Sequence, residues 1–515
     1  MKLKMILIVS LLTANVVFAE NTAGSTTSRP ATSKPVLSGK PLDTKNPTNI
    51  DNSLPDLGDV SQTVLTPQDE QRIGEQIMRD VAISDEVLQD VEVTDYLQAL
   101  GNRLATASPD KQQKFNFFVV KDNSINAFAM PGGVIGVHSG LLLATNTESE
   151  LASVLGHEIG HVTQRHMARM LAQQKYDTFK NIGAIALALL AARANPDLAN
   201  GALAAASASG VQRQLDYTRE HEREADRVGL SILDAASFDV RGMPAFFTTL
   251  QRGTRFAEGN APSFLRTHPL NAERIADVSN RVETMPYKQV RDSLEFSLVR
   301  AKLRAGNGLA QDAIDEFQDN IKERRFTSEP AEHYGLALAM LRKNDFVGAS
   351  NQLQWLRKNG QKNNQQTPFI ESLDARIQVA RNNPQAAASQ YAKALAQFPT
   401  HRALIYAYAE HFLAINQPDK AIKLVQDKQA LYPDDAYFYD IIANAYTIKN
   451  KNLLRFQAQG ESYYRKFNLK KAIEQMEFAT KAKDGNFYEH SIVDVRLKEL
   501  RRKLESEKIA DERLS

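Results

Sequence analysis

A chain of 515 residues, 43% apolar and 24% charged, is long enough for two or three hydrophobic cores and too apolar to be disordered as a whole. Its 63 basic and 61 acidic residues leave a net charge of +2, which gives no electrostatic reason to expect a nucleic-acid partner. There is no cysteine, so disulfides, thiol nucleophiles and cysteine metal ligands are excluded, and any metal must be held by His, Asp or Glu.

At the N-terminus, Lys2 and Lys4 precede an apolar run from Met5 to Leu12, and Val17 and Ala19 put small residues where a signal peptidase inspects the chain. The run is shorter than the about 20 residues a membrane span needs. Residues 1–19 therefore read as a signal peptide cut before Glu20, and the mature protein as secreted or periplasmic. Residues 20–65 are rich in Ser, Thr, Pro, Asn and Asp and read as a flexible leader. Order is expected to begin at Thr66, where Pro67 and then Glu70 form the pattern of a capped helix start.

The region 66–288 mixes strands and helices. Residues 114–122, "KFNFFVVKD", predict a strand, and residues 126–142 predict strand, turn and strand with Pro131-Gly132-Gly133 as the punctuation. The strand near Asn126 to Met130 is either an interior member of the sheet or an edge able to pair with an extended substrate. Residues 181–210 are Ala-rich and almost uncharged, with an apolar core from Ile182 to Ala192 too short to cross a bilayer. They read as two packed helices or, alternatively, as an apolar flap over a cleft or a peripheral membrane contact.

From 289 to 515 the pattern is helical and repeats. Pro399 and Pro433 lie 34 residues apart, and Ala387 with Ala421, and Phe398 with Tyr432, share that offset. A 34-residue period with Ala at close-packing points and Pro closing each unit is the tetratricopeptide signature, an α-solenoid whose concave face binds partners. Segments 333–353 and 463–482 read as degenerate copies.

The chemistry concentrates in "SVLGHEIGHVTQRH", residues 153–166. Thr147 with Glu150 three residues later forms a capping box before an apolar run. Leu151, Val154, Leu155, Ile159 and Val162 then recur at helical spacing, with His157 and His161 together along the flank of that stripe. Two imidazoles one turn apart can converge on one ion, and Glu158 can address a water beside it. His166 falls on the opposite side of such a helix and is expected in solvent. A catalytic zinc wants a third protein ligand. In residues 216–233 Glu222 fits that role with Asp226 one turn on to fix a ligand's tautomer, while His221 and Glu224 compete for it.

These motifs, with "NAFAMPGG" upstream and "READRVG" downstream, resemble M48-type zinc metallopeptidases. A signal peptide ahead and tetratricopeptide repeats behind make the whole similar to the bacterial periplasmic β-barrel assembly-enhancing proteases. The resemblance implies a mostly α fold: an α+β zincin-type domain with a small sheet at 66–288, then the solenoid. It also implies one zinc on His157, His161 and Glu222, Glu158 as general base, and Asp226 as supporting carboxylate or proton donor. The implied clients are misfolded or unassembled outer-membrane proteins, and the implied partner of the repeats is the β-barrel assembly machinery. His268, in the segment "THP", could donate to an oxyanion, fill zinc's fourth position, or make a structural hydrogen bond. A non-catalytic tetratricopeptide adaptor or chaperone with a latent zinc site is the rival reading, and a zinc hydrolase of ester bonds a third.

Overall fold

The computed structural model describes residues 65–173, 208–256, 262–362 and 366–514. The segment read as a signal peptide, almost all of the expected leader and the bulk of the Ala-rich stretch lie outside these residues. Helix α1 (Pro67–Ile83) opens on Thr66, whose hydroxyl accepts from the Asp69 amide while the Asp69 carboxylate accepts from Thr66. The reciprocal carboxylate of this capping box is thus Asp69 rather than Glu70. Helix α2 (Val91–Thr106) follows, then β1 (Asn116–Val120), β2 (Ala127–Met130) and β3 (Val134–His138). Gly132 and Gly133, at φ 76° and 74°, make the turn from β2 into β3 that residues with a Cβ resist.

The three strands form one sheet in the order β1-β3-β2. β1 runs parallel to β3, with Phe118 opposite Gly136, and β2 runs antiparallel to β3, with Phe128 opposite the same Gly136. β3 is therefore the buried centre, and β2 is an edge strand. Helix α3 (Ser139–Ala144) leads to α4 (Glu148–Thr163), which packs against β2. Thr147 caps α4 by accepting from the Glu150 amide, but the Glu150 carboxylate accepts from Asn146 instead of closing the box. The apolar stripe lies as the periodicity requires: Leu151, Val154, Leu155 and Ile159 are buried.

Helices α5 (His166–Gln173), α6 (Ala208–Ala235), α7 (Gly242–Phe256), α8 (Ser263–Thr267) and α9 (Ala272–Thr284) complete this part. The decisive packing is α4 on α6. Gly156 and Gly160 on α4 face Ala225 and Gly229 on α6 so closely that a Cβ on Gly229 would sit 3.1 Å from the His157 amide nitrogen, and one on Gly160 would sit 3.0 Å from the Ala225 carbonyl. Small residues at i and i+4 on both helices let the backbones approach, which carries the side chains one position away into each other's reach.

Twelve more helices follow among the described residues. They are α10 (Leu294–Gly306), α11 (Ala310–Glu323), α12 (Glu329–Arg342), α13 (Phe346–Lys362), α14 (Pro368–Ala380), α15 (Pro384–Gln397), α16 (Arg402–Ala414), α17 (Pro418–Gln429), α18 (Ala436–Ile448), α19 (Asn452–Arg465), α20 (Leu469–Lys481) and α21 (Phe487–Leu514). Consecutive helices pack on one another, and Ala387 and Ala421 are fully buried where α15 and α17 meet their neighbours. Asn382, Asn416 and Asn450, 34 residues apart, all adopt the left-handed conformation, at φ 57°, 57° and 54°. In each case the next amide bonds back to the carbonyl five residues earlier, as in Asn383 to Gln378. This is a Schellman stop, with Asn in place of the usual Gly.

The boundary near 288 is continuous in packing. One hydrophobic cluster runs from Val93 on α2 through Leu155 and Phe246 to Phe296, Phe317 and Ile377 in the first repeats. The polar seam is equally specific: Glu148 accepts from Tyr96 Oη at 2.8 Å and from the Ser293 hydroxyl at 2.6 Å, and Lys302 pairs with Asp90 and Glu92. Farther on, Arg402 of α16 reaches Asp95 of α2 and also Asp435. Among the described residues no helix is long and apolar enough to cross a membrane. Gly229→Val is expected to force α4 and α6 apart. Its melting temperature in the absence of metal should fall by the equivalent of about 1–3 kcal/mol of overpacking, with loss of metal binding, and calorimetry with metal analysis checks both.

Candidate metal centre

The α4–α6 crossing brings His157 and His161 against Glu222, and the residue after α8 adds His268. One donor atom from each of these four lies within 4.8 Å of the other three. The individual separations are tighter: His157 Nε2 to His161 Nε2 3.0 Å, His157 Nε2 to His268 Nδ1 3.3 Å, and His268 Nδ1 to Glu222 Oε1 3.0 Å. Glu222 also lies 3.4 Å from His157 Nε2 and 3.3 Å from His161 Nε2. A tetrahedral zinc with bonds of roughly 2.0–2.2 Å sets its donors about 3.3–3.6 Å apart. The cluster matches that cage to within a few tenths of an ångström.

The protonation pattern supports the same fit. His157 Nδ1 lies 2.9 Å from Asp226 Oδ1, which fixes the proton on Nδ1 and leaves Nε2 as a lone pair. That lone pair points at the Nε2 of His161. Two imidazole nitrogens 3.0 Å apart, backed by a carboxylate, need a proton or a cation between them. Burial works against a charged His157 ring, but the hydrogen bonds to Asp226 and Glu222 outweigh it and push the ring up to about 10. His161 is pulled the other way by burial, down to about 4. Burial opposes ionisation of Glu222, yet His268, His161 and His157 around it hold its carboxyl well below the usual range. The group of donors is a binding site for positive charge.

Glu158 stands apart in character. It is fully buried, with the Ala129 backbone and His268 as polar neighbours, and burial pushes its carboxyl up, with His268, His157 and the Ala129 backbone pulling against that. His268 Nε2 lies 3.4 Å from its Oε1. A fully buried carboxyl raised by desolvation beside a cluster of ligating atoms is poised for proton transfer rather than for stability.

Of the residues singled out from the sequence, His157, Glu158, His161, Glu222, Asp226 and His268 meet at this one place. His221 and Glu224, which competed with Glu222, do not join the donors: Glu224 bonds His166 and Arg169, and His221 stacks on His166. The expectation for His166 fails. It is buried, not solvated, with Nδ1 2.8 Å from His161 Nδ1. The reason is that α4 stops at Thr163 and Arg165 turns left-handed at φ 52°, so the helical phase that places His166 outside does not extend to it. Burial first, then His161, pushes the His166 ring down to about 4. Arg274, whose sequence context suggests no role, is almost wholly buried. It clamps Asp226 with Nε and a terminal nitrogen, both at 2.8 Å, and reaches Glu222 at 2.9 Å.

Residues 92–282 match Peptidase family M48, and residues 378–445 match the Tetratricopeptide repeat. The Beta-barrel assembly-enhancing protease of Escherichia coli (strain K12) is 30% identical over 456 residues, covering 87% of this chain and 91% of that one. The chain belongs to peptidase family M48. A Vibrio cholerae relative is 40% identical over 307 residues, 59% of this chain and 63% of its own length. The mitochondrial metalloendopeptidase OMA1 of Arabidopsis thaliana is 31% identical over 203 residues, 39% of each chain.

In this M48 metallopeptidase Arg274 is the counter-charge of the centre, since it faces two buried carboxylates whose other partners among the described residues are imidazoles. Breaking such a buried pair costs about 3–5 kcal/mol. Arg274→Met is expected to destabilise the metal-free protein by that order in denaturant unfolding, and added zinc, by supplying positive charge, should recover much of the loss.

Proposed function

We propose that this protein is an exported zinc metalloendopeptidase that cleaves misfolded or stalled outer-membrane β-barrel proteins in the periplasm. Its repeats would hold the client or the barrel-assembly machinery beside the cleft. The observation that carries the enzymatic part is the convergence of His157, His161, Glu222 and His268 on one tetrahedral position with the fully buried Glu158 carboxyl alongside. The biological part draws on the name of the Escherichia coli relative, on the repeats and on the signal-like N-terminus.

His157, His161 and Glu222 would hold the zinc. Bound there, zinc supplies Lewis acidity, which acidifies a water and polarises a peptide carbonyl. Glu158 takes the proton of the attacking water and delivers it to the leaving amine; its raised carboxyl suits a group that must both accept and donate near neutrality. Asp226 orients His157. Donation by Asp226 is not supported, because His157 and Arg274 occupy its oxygens and, against burial, hold its carboxyl below the usual range. The outer edge of β2 offers backbone groups to an extended chain, and a strand added there is recognised without regard to sequence. That suits a protease of unfolded clients.

His268 decides whether the site works at rest. With its Nδ1 among the donors it acts as a fourth ligand and leaves no open position, the one feature that favours the rival adaptor with a latent zinc. Its place between the short α8 and Pro269 makes it the ligand most easily displaced. Glu158→Gln should retain about one zinc per chain and lose at least about 10²-fold in casein cleavage; wild-type rates in that variant, or a wild-type chain without zinc, would overturn the assignment. His268→Ala should keep its zinc and cleave several-fold faster than wild type. An unchanged or lower rate means that His268 is no latch.

A further inference from the structure

The far side of His161 is as ordered as the side that faces the donors. Its Nδ1 lies 2.8 Å from Nδ1 of His166, whose Nε2 lies 3.0 Å from Glu224 Oε2. The same Glu224 oxygen accepts from Arg169 at 2.9 Å. His221 lies flat on the His166 ring, with centroids 4.1 Å apart and planes 9° from parallel, so the His166 ring cannot rotate without displacing it. The chain His161–His166–Glu224 runs from the donor cluster out to the half-buried Glu224.

We propose that His166 and Glu224 are a positioning pair that fixes the tautomer of His161 and sets how tightly the centre holds its metal. The inference rests on the zinc reading above and deepens it. To offer Nε2 to a cation, His161 has to carry its proton on Nδ1. That N–H donates to His166 Nδ1, which therefore has to be a lone pair. A neutral His166 then has its proton on Nε2, where it donates to the Glu224 carboxylate. Each tautomer is dictated by the one before it, and the carboxylate at the end is the only group in the chain that accepts from both of its partners. The two metal-binding histidines of α4 are thus oriented by different devices. His157 has a carboxylate in direct contact, whereas His161 has a neutral ring with a carboxylate behind it. Neither His166 nor Glu224 touches the reacting atoms; both act through His161.

Outer partners of metal-bound histidines are worth roughly 10–100-fold in affinity. The test is zinc affinity by competition with a chromophoric chelator, on the full chain with Glu158→Gln as background to prevent self-cleavage. His166→Leu should bind zinc roughly 10–100-fold more weakly. His166→Asn, whose Oδ1 stands where Nδ1 stood and accepts the same proton, should recover to within a few-fold. Glu224→Gln should weaken binding in the same direction as Leu and by less. Equal affinity in His166→Leu and the parent, or an Asn variant as weak as the Leu variant, would show that His166 merely fills space. If His166→Leu does not fold, nitrogen-15 NMR of the zinc-loaded parent decides. A bare Nδ1 and a protonated Nε2 on His166 support the chain of tautomers, and a protonated Nδ1 overturns it. A parent that binds no zinc at all fails the proposed function instead, which separates the two outcomes.

Discussion

Everything at the metal centre depends on how near two helix backbones come. Gly156 and Gly160 on one, Ala225 and Gly229 on the other, remove the side chains that would hold α4 and α6 at an ordinary interhelical distance. The residues next to those small ones are His157, His161 and Asp226, with Glu222 one turn away. The small residues cost helix propensity, about 1 kcal/mol per glycine relative to alanine. That cost is offset by burial of Leu151, Leu155, Ile159, Leu230 and Leu233 around the contact. The chemistry is therefore set by backbone packing first and by side-chain rotamers second.

Charge follows from that geometry. Glu222 and Asp226 are buried with three histidines, and Arg274 is the only guanidinium that reaches both carboxylates among the described residues. A cage of imidazole lone pairs and carboxylates in a dry site attracts protons when nothing better is present, which is why His157 is held protonated to so high a pH without metal. A metal ion held there, as proposed, would compete with protons for the same electron pairs, and loading it would release protons.

Legibility in the sequence tracked locality. The HExxH pair, the strand–turn–strand after Asn126 and the 34-residue period are regular over short distances, and each appears in the fold, although the second strand ends at His138 and Ser139–Leu142, read as strand, belong to α3. Glu222 could be named from spacing only as one of three, because the choice depends on the rotational phase of a second helix against the first. The helical phase that places His166 in solvent belongs to a helix that ends before it, at a non-glycine left-handed residue that carries no sequence signal. The spacing of His166, five residues beyond His161, is itself a cue that a second histidine stands near the centre. Arg274 was visible but mute, since nothing in its surroundings says that it will be drawn under two carboxylates from α6. The Asn at 382, 416 and 450 mark the repeat as clearly as Pro does, and the stop signal they provide went unread.

A tetratricopeptide array is ordinarily a spring, in which each helix pair touches only its neighbours and small bends add up along the stack. Here one helix of the enzyme, α2, holds that spring at two points about a hundred residues apart, through Lys302 on α10 and Arg402 on α16. Between those anchors the coil cannot lengthen or unwind without tearing a partly buried ion pair. Beyond them, from α17 to α21, it is tethered through its own packing, the Arg402–Asp435 pair and side-chain bonds such as Lys428 to the Pro399 carbonyl. Mechanical compliance is thus confined to the distal turns, and a pull applied there would strain the Arg402 anchor before it reached the metal ligands.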